Sequence, residues 1–176
     1  MIAALADRWA TIAVAGLAAS AVAAIGGLMT EIGPWYEGLN FPPWRPPNWL
    51  FGPVWTLIFI FTAASGVIAW HDAPDQSARV SLIAMFAANA LLNVAWSPLF
   101  FKLRRPDWAF AELLFYWVSI LALAVFAFRI SATAGWLLAP YLAWVSFAGY
   151  LNWRMVALNA PFTTHWGPWT KGQSRG

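Results

Sequence analysis

Asn89, Asn93 and Trp96 recur at i, i+4 and i+7 within a stretch from Val80 to Phe101 that carries no charge. That spacing puts three side chains on one face of a helix. Trp55, Phe59 and Thr62 repeat it, as do Trp108, Glu112 and Phe115, and Trp144, Ala148 and Leu151. Indole and phenyl rings offer flat apolar contact, and a few amides among them can orient a bound molecule. The chemistry such faces suit is the holding of a flat, hydrophobic small molecule. The plainer role for any one of them is helix packing, and Asn89 in particular reads as an interhelical hydrogen bond.

Other chemistries find little material. The chain has no cysteine, which removes iron–sulfur clusters, thiolate haem ligation and cysteine nucleophiles. His71 and His165 lie in segments on opposite sides of the membrane assigned below, so they cannot share a metal ion. There is no Ser-His-Asp arrangement, no phosphate-cradling glycine loop and no pair of carboxylates near mid-span. No catalytic residue, metal site or required cofactor is expected. Ten basic residues with a net charge of +3 are too few and too scattered to track a nucleic-acid backbone.

The elements that must carry these faces follow from composition. Of 176 residues, 61% are hydrophobic and 10% charged, against about 25% charged in a soluble domain. Five runs are long enough to cross a hydrocarbon core as helices of about 20 residues: roughly 9–29, 52–70, 80–101, 108–128 and 134–158. The first is too long for a signal-peptide core and reads as a retained helix. The fold class is thus an all-α membrane protein, a bundle of five transmembrane helices in one domain over 1–160. A loop at 30–51 and a C-terminal tail at 161–176 complete it. Ala15, Ala19, Ala23 and Gly27, four apart, offer a close-packing stripe.

Charge sets the expected orientation. Arg8, Arg79 and Arg129 fall on one side, and Arg45, Lys102, Arg104, Arg105, Arg154, Lys171 and Arg175 on the other. Basic loops stay cytoplasmic, so the N-terminus is expected out and the C-terminus in. Helical spans suit a bacterial cell membrane, because bacterial outer-membrane spans are barrels.

The loop before the second span reads Leu39-Asn40-Phe41-Pro42-Pro43-Trp44-Arg45-Pro46-Pro47-Asn48-Trp49. Each proline fixes its own φ near −65°, so the segment is stiff. It is either an interfacial connector with belt tryptophans such as Trp44 or a rigid lid over a cavity between helices. Depth brings the lid level with the connector. Asn93 lies about 12 Å below the lid-side end of its helix at 1.5 Å per residue, Trp144 lies at similar depth, and Trp55 and Trp108 sit near the same end. Glu112, early in its span, reads as a structural or tuning group near a helix N-terminus.

At these residues the sequence resembles the tryptophan-rich sensory protein family, also called the translocator protein or peripheral benzodiazepine receptor family. Trp35-Tyr36, Leu39, Pro42, Trp44, Pro46-Pro47, Trp49 and Phe51-Gly52-Pro53-Val54-Trp55-Thr56 resemble its loop and second helix. Leu92-Asn93-Val94-Ala95-Trp96-Ser97 resembles its third-helix motif, and Pro140-Tyr141-Leu142-Ala143-Trp144 with Phe147-Ala148 and Leu151-Asn152 its fifth. The resemblance implies a five-helix bundle, often a homodimer, that binds porphyrins, sterols and benzodiazepine-type drugs under the first loop. Carried over by motif, the ligand residues are Trp55, Asn93, Trp108, Trp144 and Ala148, to which position adds Trp44, Phe59 and Leu151. Protoporphyrin IX or haem is then a ligand, with membrane lipid and sterol as further partners.

Three positions depart from the family pattern. Phe41 occupies a position where the family often has lysine, and Phe59 one where tyrosine is usual; both make the site more apolar. Trp153 replaces the tyrosine of the family's cholesterol-recognition motif, although Val145, Tyr150 and Arg154 satisfy that pattern in another register. Three function classes follow: a porphyrin-binding sensor or transport-related protein, a light-dependent porphyrin oxidase using Trp55 and Trp144, and a ligand-gated scaffold.

Overall fold

Long alanine- and leucine-rich runs leave helix as the one way to satisfy the backbone in hydrocarbon, and prolines and charges mark where each run stops. The computed structural model describes residues 2–162; His165, Lys171, Arg175 and the tail from 163 onward lie outside the described residues. Helix α1 (Ile2–Met29) is followed by one turn, α2 (Pro34–Glu37), then α3 (Asn48–Asp72) and α4 (Gln76–Ser97). A π-turn over Pro98–Lys102 leads to α5 (Pro106–Ile130), α6 (Ala132–Leu137) and α7 (Ala139–Asn159). Five stretches are long and apolar enough to span a membrane: Asp7–Met29, Asn48–Asp72, Gln76–Lys102, Pro106–Ile130 and Ala132–Asn159.

Two departures from the expected boundaries involve proline. The second span begins at Asn48, a turn before Gly52, so the loop proper ends at Pro47, whose extended ψ of 146° makes it the N-cap. Pro53 then sits inside the helix, where its missing N–H deprives only the Trp49 carbonyl of its usual partner. The fifth span is broken at Leu138, whose amide bonds to Gly135 O at 3.1 Å. Pro140 lacks the N–H that would continue the helix back to Trp136, and its ring opposes that carbonyl.

Helix α5 is the centre of the bundle, packing against α4, α6 and α7. Its buried face is Ala109, Leu113, Tyr116, Ile120, Leu123 and Ala127, a regular helical stripe. Two glycines let neighbours close on it. A Cβ at Gly135 would fall 2.5 Å from Phe128 Cβ, and one at Gly149 would fall 2.8 Å from Leu113 Cδ2. Small residues at such crossings bring helices together in lipid. Helix α1 is different: it packs against α3 and α4, yet its spanning stretch has no buried residue. Ala23 and Gly27, half of the small-residue stripe, face a cavity. The stripe is therefore not a continuous helix contact.

Candidate functional site

A cavity of about 490 Å³ opens between α1, α3, α4, α5 and α7. Its aromatic wall begins on α3, where Phe51, Trp55 and Phe59 follow i, i+4, i+8. Trp55 stacks on Phe59 with centroids 5.5 Å apart and meets Tyr141 edge-on at 6.0 Å. Phe51 meets Trp144 of α7 edge-on at 5.5 Å. Val145, Ala148, Leu151 and Met155 continue the α7 wall. The π-turn supplies Phe100 and Phe101 side by side, 2% and 8% exposed. Trp96 stacks on Phe100 at 4.8 Å.

The polar side chains contributed by α4, α5 and α7 are tied to one another. Asn93 donates from Nδ2 to the hydroxyls of Tyr116 and Tyr141, the latter at 3.1 Å. The two hydroxyls bond each other, and Tyr141 donates to Asn89 Oδ1 at 3.0 Å. Asn89 Nδ2 donates to Ser119 Oγ at 2.9 Å, so the interhelical role expected of Asn89 is what the geometry gives. Nearer the lid, Trp96 Nε1 donates to Asn152 Oδ1 at 3.2 Å, and Asn152 Nδ2 to Pro106 O at 2.8 Å. A polar network satisfied in this way fixes side-chain positions in a low-dielectric interior. The Trp144 Nε1–H is buried with no protein partner. The same ring also lines an apolar groove between α3 and α7, so Trp144 stands between cavity and groove.

Of the eight side chains singled out from sequence, Trp55, Phe59, Asn93, Trp144, Ala148 and Leu151 line this cavity. Trp44 and Trp108 do not. Trp44 is 41% exposed and stacks on Tyr150 at 5.2 Å, outside the bundle. Trp108 is 49% exposed, with the Arg105 guanidinium 4.3 Å from its ring. The reason is one step of helix rotation: the inward face of α5 runs through Ala109, Leu113 and Tyr116, so Trp108, Glu112 and Phe115 turn about 100° away. Glu112 is the seventh residue of α5, beyond the reach of the helix dipole, which fades within the first turn. Asp107 takes that role, bonding Arg105 at 2.8 and 2.5 Å, which holds the guanidinium above its ordinary pKa. Both Glu112 carboxylate oxygens are buried without a protein hydrogen bond.

Sequence reasoning missed Tyr116 and Tyr141 as the partners of Asn93. The signal was available: only four tyrosines occur, and a hydroxyl deep in a span needs a partner. It also missed Gly26, Gly27 and Gly52, which line the cavity and whose missing side chains give it width. Of the 30–51 segment, Thr30, Ile32, Tyr36, Asn48 and Phe51 line this space. Tyr36 packs against Phe41 at 5.0 Å and Phe101 at 5.6 Å, and burial raises its phenol pKa against the opposing effect of Arg45. Arg45 lies 3.8 Å over the Phe41 ring. Among the described residues no cluster of three or more histidine, cysteine or acidic side chains could hold a metal.

Comparison with known proteins accords with this architecture. Residues 12–158 match the family described as the TspO/MBR family. The chain is 37% identical over 122 residues to the Translocator protein of Bos taurus, covering 69% of this chain and 72% of that one. It is 38% identical over 129 residues to the Tryptophan-rich protein TspO of Chlorobaculum tepidum, covering 71% and 79%. It is 33% identical over 144 residues to the Tryptophan-rich sensory protein of Cereibacter sphaeroides, covering 81% and 88%.

Proposed function

The chain belongs to the TspO/MBR family of integral membrane proteins, and from that premise we propose that it binds a porphyrin, face against the aromatic wall, in the cavity under the lid. The observation that carries this reading is the cavity itself. Its volume, about 490 Å³, falls within the roughly 300–1,000 Å³ of small-molecule sites. Trp55, Phe59, Trp96 and Phe100 supply flat apolar faces, and Asn93 and Tyr116 supply polar groups. A tetrapyrrole needs that combination, with its propionates directed to the wetter lid near Arg45. Sterols and other flat apolar molecules fit the same description.

The test is a titration of the purified protein with protoporphyrin in the dark, followed by tryptophan quenching, beside a Trp55→Phe/Trp144→Phe variant. Saturation near one pigment per chain, weakened in the variant, is expected. Linear quenching that is equal in both proteins means the pigment partitions into the micelle, and a ligand-gated scaffold becomes the better account.

One observation favours a second reading, light-dependent oxidation of the bound pigment. Trp55 and Trp144 line the cavity, and the Trp144 indole N–H has no protein partner, so both rings are available to a photoexcited ligand. The double variant is then expected to lose pigment more slowly in light at equal occupancy; equal loss rules this reading out.

A further inference from the structure

The lid is fastened at a point that ligand contact does not require. Asn159, the last residue of α7, donates from Nδ2 to the Asn40 carbonyl at 2.9 Å and accepts the Asn40 amide on Oδ1 at 2.7 Å. One carboxamide thus satisfies both backbone groups of a loop residue, as a neighbouring strand would. The same Nδ2 donates to the Met155 carbonyl one turn back at 2.8 Å, which orients the carboxamide before the loop arrives. Among the described residues no other hydrogen bond joins 38–46 to the long helices. Beside Asn40, Leu39 is 7% exposed and packs into the lid-side core that includes Phe101, Leu151 and Met155. Four residues further along, Trp44 stacks on Tyr150 of the same α7.

We propose that Asn159 is the latch of this lid: its carboxamide holds the loop over the mouth of the cavity, and loss of its two bonds to Asn40 opens the cavity to water. It is a positioning residue, touching the loop and not the cavity. Polar bonds suit a latch better than apolar packing does. Two hydrogen bonds at a wet edge exchange for water at modest net cost, so the lid opens and recloses without unfolding the core. Resting on the porphyrin reading above, the latch would also set how fast a pigment enters and leaves.

The absence of cysteine allows a test with no pigment present. Ala148→Cys puts a single thiol on the cavity wall of the full chain in lipid bilayers. A permanently charged methanethiosulfonate reagent reaches it from water and not from hydrocarbon, so its reaction rate times lid opening. Adding Asn159→Ala is expected to raise that rate about tenfold, from the loss of two partly exposed hydrogen bonds. Adding Asn40→Ala, which keeps both bonded backbone groups, is expected to leave it unchanged. Equal rates with and without Asn159, or an equal rise from Asn40→Ala, overturn the proposal. Hydrogen exchange on the unaltered protein is a second check that needs no variant: the Asn40 amide is expected to be protected, and free exchange there refutes the latch. If the latch results hold while protoporphyrin fails to saturate, the porphyrin reading falls and the latch stands.

Discussion

Three cavity-lining positions are glycine, and a leucine at one of them separates binding from stability. Gly26, Gly27 and Gly52 line the cavity, and a Cβ built on any of them meets no atom within 4 Å. In Gly26→Leu the new side chain therefore starts into open space at its Cβ. Removing a helix-interior glycine raises stability by up to about 1 kcal/mol, and no clash opposes that gain. The ligand meets the opposite sign. Four added carbons displace about four ligand atoms' worth of contact, at about 0.3 kcal/mol each for a drug-sized ligand. The sum, about 1.2 kcal/mol, is about an eightfold weakening. A rigid macrocycle that cannot slide aside meets an overpacking penalty of about 1–3 kcal/mol instead, so the expected loss runs from about eightfold to about a hundredfold. Protoporphyrin titration gives the affinity, and thermal unfolding in the same detergent gives the stability. Unchanged affinity in Gly26→Leu refutes the assignment of this cavity to the ligand. A fall in stability refutes the claim that the space beside Gly26 is open.

Asn93→Leu removes the donor shared by Tyr116 and Tyr141; interhelical hydrogen bonds in membranes average about 0.6 kcal/mol, so two cost about 1 kcal/mol of stability, read by unfolding in detergent. Among the described residues no histidine lines the cavity, so metal-free and iron protoporphyrin are expected to bind with similar affinity; a much tighter iron form with an axial-ligand spectrum contradicts this. Lys102, by its hydrogen bond and its charge, holds the exposed Glu31 carboxyl below its ordinary pKa. The contribution of that pair is present above the unfolded carboxylate's pKa and is lost as pH falls through the lowered folded value, and Glu31→Gln is expected to flatten that limb of a stability–pH profile. For orientation, single thiols from Gln76→Cys and Glu37→Cys are expected to label from outside and inside the cell respectively, and the reverse pattern overturns the N-terminus-out assignment.

The helices were legible because hydrocarbon leaves the backbone little choice, and run length alone counts them. Their ends were read less well where proline was involved. The second span was read as starting at 52, yet its helix begins at Asn48, because the extended Pro47 caps it and leaves Pro53 inside. In the cavity, Trp144, Ala148 and Leu151 were found by periodicity because the i, i+4, i+7 face of α7 is the inward one. The same periodicity misled on α5: it reports that Trp108, Glu112 and Phe115 share a face, and not which way that face turns.

Amino-acid sequence by itself determined the membrane class, the number of spans, the stiff proline loop and the side chains able to meet a flat ligand, since each is a property of composition or of spacing within one segment. Tertiary structure decided what lies between segments. It rotated α5 so that Tyr116 faces inward and Trp108 outward, buried both Phe100 and Phe101 of the π-turn, and left empty space beside Gly26 and Gly27. It also brought Asn159 to Asn40, 119 positions apart. Such pairings depend on helix rotation and crossing, which packing of the whole bundle fixes and local periodicity does not.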